Sequence, residues 1–151
     1  MSEKSQAARA LADRCSYATL ATNSVRHEGW PYASVLPYAT DGQGRPIFVI
    51  SGLAVHTKNL KQDGRCSVLI TEPTEGSPLE AARVNLMGTI TPVPEDEQEE
   101  VVQAFVARHP DAAEWAVFGD FSAWRMDISD VYYVGGFGAM GWVSPGDYRA
   151  T

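Results

Sequence analysis

Apolar and polar positions alternate at period two over most of the chain and at helical spacing in a few stretches. Ala7, Ala8, Leu11 and Cys15 recur one turn apart, predicting a helix over Ser5 to Cys15. Tyr17–Thr22 is strand-like, and Asn23 to Gly29 is a polar turn in which His27 is read as solvated. A second strand begins at Trp30-Pro31 and runs to Leu36, with Pro31 and Pro37 at positions that need not donate to a ladder. Asp41-Gly42-Gln43-Gly44 feeds a third strand, Pro46–Ile50, and these last two strands read as a hairpin with a longer loop.

The pattern then switches to a helix over Ala54 to Gln62, stopped at Gly64, and returns to a strand over Arg65 to Thr71. Glu72 to Pro78 is a loop. Val84–Ile90 alternates as a strand, and Gly88 inside it signals a bulge or a close backbone approach. Pro94 opens a helix with acids in its first turn and Val101, Val102, Phe105 and Val106 as its apolar stripe; His109 at its end is read as a dipole or cap residue. Asp111 to Phe118 is a short helix. Asp120–Met126 and Val131–Val134 read as two further strands, followed by a flexible glycine-rich stretch, Gly135 to Trp142, and a loose tail after Ser144. Short strands in antiparallel-looking pairs favour an α+β domain on a small antiparallel barrel over a doubly wound parallel sheet.

Composition narrows the functional classes. With 151 residues, 44% of them hydrophobic, the chain can bury a core as a single domain, 1–151. Twelve basic against nineteen acidic side chains give a net charge of −7, which argues against nucleic acid or an anionic membrane as the partner. No apolar run approaches the ~20 residues of a membrane span. Cys15 and Cys66 form neither a disulfide framework nor a zinc pattern, and the N-terminus carries no signal core, so the expected setting is soluble and cytoplasmic.

Chemistry concentrates in one place. After the strand that ends at Ile50, Ser51-Gly52 breaks the chain and a helix opens carrying His56, Thr57 and Lys58. Free N–H groups, a hydroxyl, an imidazole and an ammonium together suit a phosphate. Ser34, His56 and a carboxylate do not form a hydrolytic triad, since no nucleophile elbow is present. The histidines and cysteines lack metal-ligand spacing, and Gly135-Gly136-Phe137-Gly138 follows a strand without opening a helix, so it is no dinucleotide fingerprint. No catalytic acid, base or nucleophile stands out. A phosphate nook without such apparatus fits a protein whose cofactor carries the reactivity.

Pro31–Tyr38, Ser51–Leu60, Phe118-Gly119-Asp120-Phe121 and Val134–Gly138 together resemble the FMN-binding split barrels related to pyridoxamine 5′-phosphate oxidase, and among them the haem-utilisation branch. The resemblance implies a six-stranded antiparallel split β-barrel flanked by helices, paired as a homodimer with FMN in clefts between the two copies. It places Tyr32, Ala33, Ser34 and Val35 along the flavin, and Ser51, His56, Thr57 and Lys58 around the phosphate. Arg83 matches a position that reaches the flavin of the partner subunit. Ala139 stands where relatives often carry Arg, His56 where the oxidases use Lys, and the C-terminal haem-ligating domain of the branch is expected to be missing. The expected function is an FMN-dependent oxidoreductase on a small-molecule substrate. The alternatives are a haem-binding or haem-degrading protein and a non-enzymatic flavin carrier or sensor.

Overall fold

The computed structural model describes residues 2–151. Helix α1 (Glu3–Arg14) starts at Ser2, whose hydroxyl accepts from the Ser5 amide. Strands β1 (Tyr17–Asn23), β2 (Pro31–Pro37), β3 (Ala39–Thr40) and β4 (Pro46–Ser51) follow. Helix α2 (Val55–Gln62) leads to β5 (Arg65–Thr71), and β6 (Arg83–Pro92) to α3 (Gln98–Arg108). Strands β7 (Phe121–Val134) and β8 (Met140–Val143) and helix α4 (Pro145–Ala150) complete the chain. Among the described residues no helix is long and apolar enough to cross a membrane.

All pairings are antiparallel, in the order β2-β1-β5-β6-β7-β4-β3, with β8 on the C-terminal half of β7. The sheet curls into a half-barrel flanked by helices. The described residues hold eight strands rather than six, counting the two-residue β3 and the four-residue β8. β4 is buried on both faces. Phe48 and Ile50 join the inner core with Leu11, Leu20, Leu60, Val68 and Leu86, while Ile47 and Val49 pack beneath α3 with Val101 and Phe105. That two-sided burial explains its unbroken apolar run.

Several local expectations change, while the one for Gly88 is met. The strand at Pro31–Leu36 pairs with β1, not with the strand at Pro46–Ile50. The Asp41–Gly44 turn instead closes the small β3–β4 hairpin. Phe121–Met126 and Val131–Val134 belong to one 14-residue strand that begins just after Asp120, because Met126, Ile128 and Val131 keep turning inward through the polar stretch. The register slips at Met87/Gly88, and a Cβ on Gly88 would lie 2.0 Å from the Asp127 carbonyl oxygen, so bulge and close approach coincide there. The glycine-rich stretch contains β8, held against β7.

The tail after Ser144 is likewise ordered. Ser144 caps α4 by accepting from the Asp147 amide, and Tyr148 is fully buried with its hydroxyl donating to the Gly44 carbonyl at 2.6 Å. Arg9, only 8% exposed, donates to the carbonyls of Tyr148, Arg149 and Thr151 and, across the core, to that of Gly42. A guanidinium is thus the C-terminal cap of a helix 140 residues away, an arrangement no local pattern predicts.

Candidate functional site

β4 ends at Ser51, opposite Phe121, and the chain turns over Gly52 and Leu53 into α2. The turn is held from the far strand: the Gly52 amide donates to the Asp120 carbonyl (2.7 Å) and the Ser51 hydroxyl donates to Asp120 Oδ2 (2.7 Å). Ser51 Oγ also accepts from the Leu53 amide (3.1 Å). Ala54 stands at the cap of α2 and offers no side-chain acceptor, and the first turn contains no acid. The opening amides of α2 therefore lack the partner that Ser, Thr, Asp or Asn would give them.

His56, Thr57 and Lys58 occupy that first turn. Thr57 is 1% exposed, yet its hydroxyl has no hydrogen-bond partner; the same holds for the buried His56 Nε2. Burial lowers the pKa of His56, so its imidazole is neutral at pH 7. Lys58 is exposed. Lys61, one turn on, carries its ammonium back to the start of the turn, 3.8 Å from the position a Cβ on Gly52 would take.

Asn59 docks the helix on the sheet. Its side chain accepts from the Val25 amide and donates to Thr22 Oγ1, which in turn leans on the Tyr32 carbonyl of β2. Ser34 pairs with Leu20 and Tyr32 with Thr22, so both turn toward the face that α2 covers. Ser34 Oγ is also buried without a partner. Ala33 and Val35 turn to the opposite face. β2 ends the sheet, leaving alternate main-chain groups along Tyr32–Val35 unpaired at an open edge.

The structure thus puts His56, Thr57 and Lys58 on the first turn of α2 and Ser34 on the strand face that α2 covers, with Ser51 at the turn before the helix but engaged by Asp120. Arg83 stands apart. It opens β6 opposite Val134 and donates to the carbonyls of Pro78 and Ala81, whereas α2 ends beside Thr89 and Ile90. Six strand residues put ~20 Å between Arg83 and Thr89, and among the described residues every hydrogen bond of the Arg83 side chain stays within the Pro78–Ala81 segment before β6. Asp120, Asn59 and Lys61 carry no local signature of their own; Asp120 and Lys61 become visible only once Ser51 and Gly52 are folded against them.

The opposite face of the sheet carries a groove of about 640 Å³ lined by Ala21, Pro31, Arg65, Ser67, Met87 and Ser129. Around it the register aligns Val35, Thr19, Leu69, Asn85, Tyr132 and Trp142 across five neighbouring pairings. Val35 is 70% and Trp142 63% exposed. Within this row the Asn85 side-chain carbonyl is buried and unpartnered. Among the described residues no group of three or more His, Cys, Asp and Glu could hold a metal. The Cys66 thiol is pushed up to about 12 by burial, far from a reactive thiolate.

Known proteins share this architecture. The structure of a haem-binding protein from Mycobacterium smegmatis superposes with a TM-score of 0.91 at 32% identity, over 99% of this chain and 61% of that one. In sequence, the chloroplastic noncanonical haem oxygenase HOZ of Arabidopsis thaliana is 39% identical over 136 residues, 87% of this chain but 41% of the plant protein. Human Protein CREG1 is 26% identical over 153 residues, 91% of this chain and 68% of CREG1. The chain therefore spans less than half of the plant protein and just under two thirds of the mycobacterial one. The family profile described as "CREG, beta-barrel" matches residues 1–150, and the chain belongs to that family.

Proposed function

We propose that this chain binds FMN by its phosphate at the start of α2 and acts, as a homodimer, as an FMN-dependent oxidoreductase on a small substrate. The observation that carries the reading is the set of buried, unpartnered polar atoms on the first turn of α2 and on the strand face that the helix covers: His56 Nε2 and Thr57 Oγ1 on the helix, Ser34 Oγ on β2. Folded proteins pair the great majority of such atoms, and each one left bare costs about 1–3 kcal/mol. Three together, beside uncapped amides and the Lys58 ammonium, describe a site whose partner is an anion with several acceptor oxygens. The residues present therefore fit a phosphate.

In this reading His56, Thr57, Lys58 and the first-turn amides hold the phosphate, Ser34 lies beneath it, and the open edge of Tyr32–Val35 runs along the ring. Arg83 serves the site of the second copy, which accounts for its distance from α2 in its own chain. The resemblance to pyridoxamine 5′-phosphate oxidases supports the same placement. Bound FMN would supply hydride or single-electron transfer; the chain would supply its position. Titration of the purified protein with FMN, followed by quenching of flavin fluorescence, tests the reading. Saturation at micromolar protein, with riboflavin bound at least tenfold more weakly, is the expected result. Absence of binding, or equal affinity for riboflavin, would refute it. Binding without turnover of any reductant would make the protein a flavin carrier or sensor.

One observation favours a second reading. A neutral imidazole with a bare Nε2 is also the state of a metal-ligating histidine. Two relatives are named for haem, so haem binding at His56 is the alternative. A Soret shift at micromolar haem that His56→Ala abolishes would select it, and a flat Soret region would remove it.

A further inference from the structure

The FMN reading leaves one group at the turn unexplained: a carboxylate stands where an anion is to bind. Asp120 grips the Ser51–Gly52 turn twice, through its main-chain carbonyl on the Gly52 amide and through Oδ2 on the Ser51 hydroxyl. Ser51 Oγ has a single proton and already accepts from the Leu53 amide, so it cannot donate to Asp120 and to a phosphate at once. A carboxylate and a phosphate sharing one hydroxyl would also repel each other at close range. Asp120 is exposed and free to turn outward, whereas its main-chain bond to Gly52 does not depend on its side chain.

We propose that Asp120 is a specificity-determining residue: its carboxylate occupies the Ser51 hydroxyl as a built-in competitor, and an anionic ligand must displace it to complete the cradle. The inference rests on the phosphate site proposed above and adds what sets its affinity. The first turn of α2, which follows the Ser51–Gly52 turn directly, has its own independent mark, since Thr57, 99% buried, keeps an unpartnered hydroxyl there. Lys61 is the counterweight. Its ammonium stands beside Gly52 and, among the described residues, makes no ion pair with Asp120, so it is placed for an incoming anion at the turn. The competition screens ligands: only a group with enough charge and acceptor oxygens to outbid a carboxylate gains Ser51, whereas a neutral ligand gains nothing from its release.

The test is a set of fluorescence titrations with FMN and with riboflavin, which lacks the phosphate. Asp120→Asn removes the competing charge and leaves the Gly52 bond in place; it should tighten FMN about tenfold and move riboflavin by less than about twofold. In a Ser51→Ala background the same change should gain less than about threefold, because the contested hydroxyl is gone. Lys61→Gln, at an exposed position that leaves folding intact, should weaken FMN about tenfold and spare riboflavin. Unchanged or weaker FMN binding by Asp120→Asn would overturn the inference, as would an undiminished gain without Ser51 or an indifferent Lys61→Gln. Wild-type protein that binds FMN beside an unresponsive Asp120→Asn sinks this inference alone. Wild-type protein that ignores FMN, or binds riboflavin as well, sinks the phosphate site and this inference with it.

Discussion

Thr57→Val separates stability from binding and so tests the cradle from both sides. The substitution exchanges a hydroxyl for a methyl of nearly the same volume at a side chain 99% buried. In the free protein that hydroxyl has no partner, and burying it costs roughly 1–3 kcal/mol that a methyl does not incur. Thr and Val have similar helix propensities, so the first turn of α2 is not otherwise weakened. The free variant should therefore be about 1–2 kcal/mol more stable than wild type, a rise of roughly 3–6 °C in Tm for a chain of this length. Binding should move the other way. Loss of one charge-assisted hydrogen bond costs ~1.5–3 kcal/mol, which weakens FMN about ten- to a hundredfold.

Thermal melts without and with FMN read both effects. At a hundred times the wild-type Kd, FMN adds about 2.7 kcal/mol to wild type; with a thirtyfold weaker Kd the same concentration adds only about 1 kcal/mol. Thr57→Ser, which keeps the hydroxyl and loses the methyl, should lower the free melt and preserve the FMN increment. A free Thr57→Val protein that melts below wild type would show that the hydroxyl is satisfied in solution. An undiminished FMN increment would show that the phosphate binds elsewhere.

Three further outcomes are expected. Because burial lowers the His56 pKa, the unfolded chain takes up its proton first as pH falls below about 6.5. His56 then costs native stability until the folded imidazole protonates too, and His56→Gln should flatten that part of a pH series of urea midpoints. FMN should have the opposite sign: the phosphate favours protonated His56, so affinity should rise as pH falls from about 8 to 6.5, a trend His56→Gln should remove. Arg9→Met strips four main-chain carbonyls of a donor 8% exposed and removes the ion pair to Asp13, which keeps only its bond from Thr40. It should cost about 3–5 kcal/mol in urea unfolding and open α4 to trypsin at Arg149, whereas a loss below about 1 kcal/mol would refute the capping role. Leu69→Glu places a charge in the centre of the exposed sheet face and should shift the mass seen by light scattering from dimer to monomer, leaving the melt of the separate chain within ~1 kcal/mol; an unmoved dimer would locate the interface elsewhere.

Periodicity made β1, α2, β5 and β6 legible nearly to the residue, because each buries one face and one face only. It misled where burial departs from that rule. β7 passes through Asp127, Ser129 and Asp130 on its outward face, and the polar surface looked like a break although Ile128 still pointed inward. β2 and β4 seemed a hairpin because the turn chemistry of Asp41–Gly44 is real; the two-residue β3 that uses it is too short to leave a pattern. α4 was unreadable because its anchors, Arg9, Gly42 and Gly44, lie more than a hundred residues away. The candidate site shows the same division. His56, Thr57 and Lys58 are adjacent in the chain and legible together, whereas Asp120, 69 residues from Ser51, reads in sequence only as part of an aromatic strand.

The unsatisfied atoms say more about what is missing than the pockets do. Four buried side-chain atoms among the described residues lack partners, and they fall on two surfaces. Ser34, His56 and Thr57 lie on the α2 side, among donors and positive charge, where an anion completes them. Asn85 lies on the opposite side, in a row of Leu69, Tyr132 and Trp142 that one chain leaves open. A phosphate could not answer Asn85, which offers a carbonyl among apolar neighbours; a donor from a second protein surface could. The two deficits therefore call for two different partners. Arg83 connects them: it belongs to the same strand as Asn85, yet its proposed task is at a site that its own α2 cannot bring within reach. A chain that bound its anion alone would have no use for the open sheet face. A chain that only dimerised would have no reason to keep a hydroxyl and an imidazole bare beneath Lys58.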